Sequence, residues 1–521
     1  MKNSSSSAVQ ASADARMRKL ITLIVVCAST FMLPLDYTIV AVALHDIQQN
    51  LGASFIDLQW VINGYTLAFA AFVLAGGSLA DLFGRRRLFL IGMTIFGLSS
   101  LTSGLAPTPL ILNLARGVLG LGAALMFAAA LPLLVMEFEG AERAKAFGVF
   151  GAVVGLGAAL GPFLGGIIVG TLGWRWAFLV NVPVIVVLVG LTMSKVRESR
   201  DPNAHIIDWG GLCSFTSFCF FFFYAIINGN EDGWTSLVIL GCFGVAAVML
   251  RAFIVIELHH HYPMFDLTLF RNATFVGAST PAIVLSVAFW GPFLYFPMYY
   301  QSALEYSAFE AGSAVLPFAI PLFVMGPIGG WLSLRLSSRA LLGLGQFLVG
   351  AGSLLLLMPG PDATWLAFSL GAVVSGSGAG LINGEMTNIA LSLVPAERSG
   401  MASGINSTAR QVGVAIGFAG LGAILSDAIA DSFQGLMAGH AIGAQVATLV
   451  VKGDLTAAMA AVPVPLRDSV LRAAHGAVYH GFHVIVTIAG VVGIAGAIFS
   501  YITVRQVRPE DGVLKAVSVA H

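Results

Sequence analysis

Four charged side chains sit deep in apolar sequence: Asp36, Arg116, Glu385 and Arg410. In hydrocarbon such charges are costly and are usually paired or turned toward a cavity. A carboxylate beside a guanidinium can bind and release a proton. Burial disfavours the charged carboxylate and the cation favours it, so a change in their separation moves the proton. The guanidinium stays charged throughout. Asp36 lies eight residues before Leu44, and Arg116 about six residues into the run that opens near 110. Both therefore lie roughly 9–12 Å below one face, at about 1.5 Å per residue. Glu385 and Arg410 flank the next turn, each roughly 14 Å from the opposite face. Matched depths make these four the candidate proton-coupling residues, Asp36 being the principal carboxylate and Arg116 its modulator. Glu385 and Arg410 are expected to pair or to face a cavity together. Two purely structural ion pairs would leave the same trace in sequence.

A second constellation is the turn from Gly77 to Arg87. Asp81 ends one apolar run, where a carboxylate needs a partner or a helix N-terminus. Gly77 and Gly84 permit close helix approach and a sharp turn, and Arg85 and Arg86 supply the bases of a candidate gate. Farther on, Gly157, Gly161, Pro162 and Gly165 strip side chains from one helical stripe, so that a neighbouring helix can come close. Tyr37, Tyr65, Phe289, Trp290 and Phe293 are candidates for an aromatic cavity wall, suited to flat or cationic ligands. Tyr299 and Tyr300 suit an interfacial belt. His259 to His261 have no companion ligand cluster, so no metal is implied. Cys27, Cys213, Cys219 and Cys242 all fall inside apolar runs, which argues against a disulfide framework. No Gly-x-x-x-x-Gly-Lys-Ser/Thr loop is present, so neither ATP drive nor any other cofactor is expected.

The elements that hold these groups follow from composition. The 521 residues are 57% hydrophobic and 10% charged, far more apolar than a soluble domain requires. The runs are long enough to span a bilayer, and a lone span must satisfy its own backbone, so they are helices. Fourteen runs are expected, from 18–44 to 478–504. A formal net charge of +0 gives no field that would recruit nucleic acid. With both termini on one side, that side and its flanks hold 20 of the 26 Lys and Arg residues. The bias marks it as cytoplasmic. Gly120 to Leu125 followed by Ala141 to Arg143 recurs as Gly376 to Leu381 followed by Ala396 to Arg398, 256 residues later for the first stretch and 255 for the second. Spans four and twelve are thus equivalents. The implied plan is a tail (1–17), a six-helix bundle (18–200), two inserted spans (201–258), a second six-helix bundle (259–504) and a tail (505–521). A long outer loop, 428–477, lies in the second bundle, and its stretch from Leu466 to Val478 reads as an interfacial helix. Parallel repeats of this kind place a site at their interface near the midplane.

The Gly77–Arg87 turn resembles the signature loop of the major facilitator superfamily, departing at Leu82. Leu35 to Leu44 resembles a motif of that superfamily's fourteen-span drug/proton antiporters, departing at Ala41 and at His45 just beyond it. Arg116 to Gly120 resembles a motif linked to proton coupling, departing at Leu119. Gly151 to Gly166 resembles the antiporter motif. The resemblance implies an all-α polytopic membrane protein that is not an enzyme. It implies proton-driven efflux of small amphipathic compounds by alternating access in a bacterial cytoplasmic membrane. Its partners would be drugs or metabolites, protons, the lipid bilayer and, at the long outer loop, a periplasmic adaptor. A dedicated exporter of one metabolite or antibiotic is the alternative on the same scaffold. A non-transporting receptor is the alternative from another class.

Overall fold

The computed structural model describes residues 2–504 except 139, 200–207, 261–266, 272, 334, 362, 393–398, 438–445, 447–448 and 451–454. Among the described residues, fourteen helices are long and apolar enough to cross a membrane. They are α1 Lys2–Leu51, α2 Phe55–Phe83, α3 Arg85–Gly104, α4 Pro109–Glu137, α5 Gly140–Leu172, α6 Asn181–Lys195, α7 Trp209–Asp232 and α8 Leu237–His259. After the inserted pair come α9 Phe275–Ala303 and α10 Ala308–Leu332. The last four are α11 Ser338–Leu355, α12 Trp365–Ser392, α13 Ser399–Leu436 and α14 Arg467–Thr503.

Glycine positions the helices. In α4, a Cβ on Gly120 would strike Tyr65 of α2, and one on Gly122 would sit 2.6 Å from the backbone nitrogen of Phe96 in α3. In α12, a Cβ on Gly376 would strike Phe318 of α10, and one on Gly378 would sit 2.7 Å from the nitrogen of Val349 in α11. So α4 wedges between α2 and α3 as α12 wedges between α10 and α11. The sequence repeat is therefore a repeat of packing, with the same small residues admitting the same neighbours.

The two halves meet along two seams. Helix α2 lies against α13, and α5 lies against α10. The inserted pair α7 and α8 packs as a hairpin, with α7 touching both α2 and α13. Helix α9 is broken by a π turn at Ser286–Trp290, a local widening often found at functional sites.

Several expectations are corrected. Helix α1 continues to Leu51 rather than ending near 44, because residues 45–51 carry no breaker before Gly52 takes a positive φ of 61°. Asp36 is thus about 22 Å from that end at about 1.5 Å per residue, close to mid-helix. The stretch from Leu466 to Val478 is no separate interfacial helix: Arg467 onward forms the first turns of α14. Tyr299 and Tyr300 are not a belt. Both are almost fully buried, against Phe482 at 4.3 Å and Phe368 at 6.1 Å between ring centroids respectively.

Candidate functional site

The buried centre of the first half is built from four helices. Helix α1 supplies Asp36, α4 supplies Arg116, α6 supplies Asn181 and α3 supplies Ser100. Arg116 and Asp36 are both completely inaccessible to solvent, and Arg116 Nη1 donates to Asp36 Oδ2 at 2.5 Å. The other carboxylate oxygen accepts from Asn181 Nδ2 at 2.9 Å. The same amide reaches Ser100 Oγ at 2.9 Å, and Ser100 donates to the carbonyl of Phe178 at 3.0 Å. Arg116 Nε donates to the carbonyl of Val61 at 2.8 Å. The guanidinium also lies 4.7 Å from the Tyr65 ring centroid and 5.7 Å from that of Phe178, within cation–π range. Gly64 and Gly117 make the approach possible: a Cβ on Gly64 would lie 3.6 Å from the nitrogen of Gly117. The cost of burying both charges away from water is offset here because each finds its counter-ion and further hydrogen bonds.

Asn181 and Ser100 were not among the residues read from the sequence as candidates. Asn181 opens α6, and an amide at a helix start is ordinarily a cap. Only the tertiary contact with Asp36 gives it a further role.

An aromatic wall adjoins this centre and crosses between the halves. Tyr37 of α1 lies 6.3 Å from Tyr65 and 6.4 Å, edge-on, from Trp290 of α9. Trp290 sits in the π turn with Phe289 at 5.4 Å and Phe293 at 5.4 Å. Tyr37, Tyr65, Phe289 and Phe293 are almost wholly buried. The five residues read from the sequence as candidates for a cavity wall thus form one contiguous ring cluster of tilted, stacked and edge-to-face contacts, the kind that add about 0.5–1.5 kcal/mol each.

The second charged pair does not form. Glu385 accepts from Ser338 Oγ at 2.7 Å. Arg410 reaches Asn383 Oδ1 at 3.5 Å. Equal depth on consecutive helices left their azimuth open, and each side chain found a neutral partner instead. At offset 256, the counterpart of Arg116 is Ala372, which is buried.

The family model described as Major Facilitator Superfamily matches residues 26–418 and 282–507. The chain belongs to the major facilitator superfamily. It is similar to the multidrug resistance protein Stp of Mycobacterium tuberculosis (strain CDC 1551 / Oshkosh), at 37% identity over 78% of this chain and 76% of that protein. It is also similar to the tetracenomycin C resistance and export protein of Streptomyces glaucescens, at 30% identity over 94% and 92% of the two chains. In fold it matches a bacterial homologue of the human lysosomal transporter Spinster, solved in an inward-facing and unoccupied conformation. There the TM-score is 0.65 at 15% identity, covering 94% of this chain and 97% of that one. Membership makes this a multi-pass membrane transport protein, not an enzyme.

The superfamily's signature turn can now be placed. Gly84 joins α2 to α3 at a φ of 105°, a region that only glycine enters readily. A Cβ there would lie 2.7 Å from the carboxylate of Glu198. That carboxylate caps α3, accepting from the backbone N–H groups of Arg86 at 3.0 Å and Arg87 at 3.1 Å. An anion at a helix N-terminus is favoured by the dipole and by the free N–H groups. Arg85 N–H donates to the carbonyl of Ser199 at 2.8 Å, and Arg86 Nη2 donates to that of Met193 at 2.7 Å. The three arginines therefore tie the turn to the end of α6, and Glu198 was missed because nothing local marks it. Close packing at Gly77 is a correction: a Cβ there would meet nothing within 4 Å, whereas one on Gly76 would sit 2.8 Å from Ala128. The side chain of Asp81 and residue His261 lie outside the described residues.

The glycine stripe of α5 packs on α1. A Cβ on Gly157 would sit 2.6 Å from the carbonyl of Phe31, one on Gly161 would overlap Thr38, and one on Gly165 would sit 3.1 Å from Ile39 Cα. The other side of α5 meets the second half. A Cβ on Gly166 would lie 2.8 Å from the carbonyl of Ala308, and one on Gly312 would strike the carbonyl of Pro162. Helix α5 is thus held without intervening side chains between the helix that carries Asp36 and the opposite half.

Proposed function

We propose that this chain exports small amphipathic compounds in exchange for protons across a bacterial cytoplasmic membrane, by alternating access of its two halves. The halves are assigned as residues 18–200 and 259–504, with 201–258 inserted and both termini in the cytoplasm. The observation that carries the reading is the fully buried Asp36–Arg116 pair beside an aromatic wall shared by both halves. Similarity to proteins described as multidrug or antibiotic resistance transporters supports drug-like cargo.

In the proposed cycle Asp36 takes a proton from the outer side, which frees Arg116 from its counter-ion. Asn181 holds the carboxylate in place through either state, since an amide can turn donor or acceptor toward it. Return of Arg116 to Asp36 expels the proton on the inner side. Cargo rests against Tyr37, Tyr65, Phe289, Trp290 and Phe293, which lie at the joint between the halves. The turn of Gly77, Asp81, Gly84, Arg85 and Arg86 acts as the inner gate, and the α5 stripe limits leak. Glu385 and Arg410 are the second-half candidates for proton coupling. The outer segment 428–477 is the surface a periplasmic adaptor would meet.

The test is substrate flux in proteoliposomes under an imposed pH gradient, across a panel of dyes, quaternary cations and anionic drugs. Gradient-dependent flux of several classes supports the reading. Gradient-dependent flux of one compound alone favours a dedicated exporter. Flux of none overturns transport.

A further inference from the structure

The inserted hairpin has no place in the scheme above, yet its position is specific. Helix α7 lies over the seam where α2 and α13 meet. Its face of Phe215, Cys219, Phe223 and Ile227 forms one buried apolar cluster with Leu67 of α2 and with Ala415 and Ala419 of α13. Beneath this cover the seam is polar. Gln59, Asn63 and Thr66 on α2 are buried, as are Asn406, Ser407 and Thr408 on α13. Thr408 Oγ1 donates across the seam to the carbonyl of Ala70 at 3.4 Å. Both amide atoms of Asn63, and the amide oxygen of Gln59, are buried without a hydrogen-bond partner. Polar groups in that state would be strongly unfavourable against lipid tails. Something must keep acyl chains off them, and α7 is the element in place.

The two edges of the cover are held differently. On the α13 side, Asn230 Nδ2 donates to the carbonyl of Ala423 at 2.7 Å, a directional polar bond near the helix end. On the α2 side the contacts are between aromatic rings: Trp60 lies 6.1 Å from Phe220 and 6.4 Å from Tyr224. Tilted ring contact of this kind holds over centroid separations of about 4.5–7 Å, whereas a hydrogen bond weakens steeply with distance and angle, so the aromatic edge tolerates more displacement. The outward face of α8 is apolar, with Leu237, Val238 and Val248 exposed, as suits contact with lipid.

We propose that the α7–α8 hairpin is a sliding lipid seal. It travels with the second half, anchored on α13, and its phenylalanine face glides along α2 so that the amide seam stays closed to acyl chains as the halves move. The proposal rests on the alternating-access reading above.

The test uses full-length protein in proteoliposomes, with the four native cysteines replaced by serine or alanine. One variant carries Asn230→Cys and Ala423→Cys, to fix α7 to α13. The other carries Trp60→Cys and Phe220→Cys, to fix α7 to α2. Flux is measured reduced, cross-linked with a short bifunctional thiol reagent, and reduced again. The expected result is that the α7–α13 link leaves flux within about twofold of its reduced control. The α7–α2 link should lower flux at least tenfold, reversibly. If the α7–α13 link blocks flux, or the α7–α2 link is tolerated, the sliding seal is overturned. A pair that is inactive when reduced is replaced by Phe223→Cys with Ala419→Cys on the first contact, or Trp60→Cys with Tyr224→Cys on the second. If the unlinked cysteine-free protein carries no cargo although it is folded, the transport reading fails instead, and the two failures are distinct. Collisional relaxation of a nitroxide at Leu67→Cys by dissolved oxygen then decides the seal alone: protection from oxygen supports it, and full access overturns it.

Discussion

Replacing Asp36 by Asn removes the counter-ion of Arg116 while preserving shape. The guanidinium would remain fully buried, held by the Val61 carbonyl and two aromatic faces only. Breaking a buried pair by removing one partner costs about 3–5 kcal/mol. Removing both charges with amides of similar shape can be close to neutral. We therefore expect Asp36→Asn to lower stability by about 3–5 kcal/mol and Asp36→Asn/Arg116→Gln to recover most of that loss. The same figure bears on function, because a protonated Asp36 resembles the Asn variant. A gradient of two pH units supplies about 2.7 kcal/mol, and 100 mV adds about 2.3 kcal/mol per charge. Together they match the work of separating the pair, so the opening is within reach of an energised membrane. Wild-type efflux should rise as the outer pH falls, since protonation from that side starts the cycle. Both variants should lose that dependence, although the double variant regains stability. Thermal unfolding in detergent and flux at several outer pH values measure the two effects. A stable Asp36→Asn protein that keeps its pH-dependent efflux would refute the reasoning.

Asp81→Asn should cut transport while leaving membrane insertion and yield unchanged, as read by flux and by fluorescence-detected size exclusion. Gly161→Ala should lose about 1–3 kcal/mol through overpacking onto Thr38, whereas Gly77→Ala, facing open space, should be nearly neutral; the difference in melting temperature checks both. Glu198→Gln removes the charge from the N-terminus of α3 and should cost about 0.3–1 kcal/mol, with the deficit shrinking in high salt. Trp290→Ala should weaken aromatic cargo severalfold in KM and spare the pH profile, a split that competitive flux assays resolve.

The number of spans and the repeat were legible because each rests on a one-dimensional signal, apolar run length and small-residue spacing. The Asp36–Arg116 contact was suggested by depth, although that depth was reckoned from residue 44 and α1 runs on to Leu51. Depth fixes height along a helix and says nothing of azimuth, which is why the same logic misplaced Glu385 and Arg410. Those two occupy consecutive helices, yet one turned to Ser338 and the other to Asn383. Helix ends were legible only where a breaker stood. Gly84 marked one, whereas residues 45–51 and 428–436 are polar enough to look like loop and still continue their helices. The bond of Asn181 to Asp36 and the role of Glu198 were not legible for another reason: each acts on a residue more than 100 positions away, and no local pattern encodes such a partner.

Ala372 occupies the place in the second half that Arg116 holds in the first. The two halves thus differ at this position, and only the first carries a guanidinium there. Under the proposed scheme, most of the aromatic wall stands on α9, in the half without it. Selection for a different cargo can then rework Phe289, Trp290 and Phe293 while the Asp36–Arg116 pair stays untouched. A scaffold so divided can change what it expels, through single substitutions in one half, without having to reinvent how it is powered.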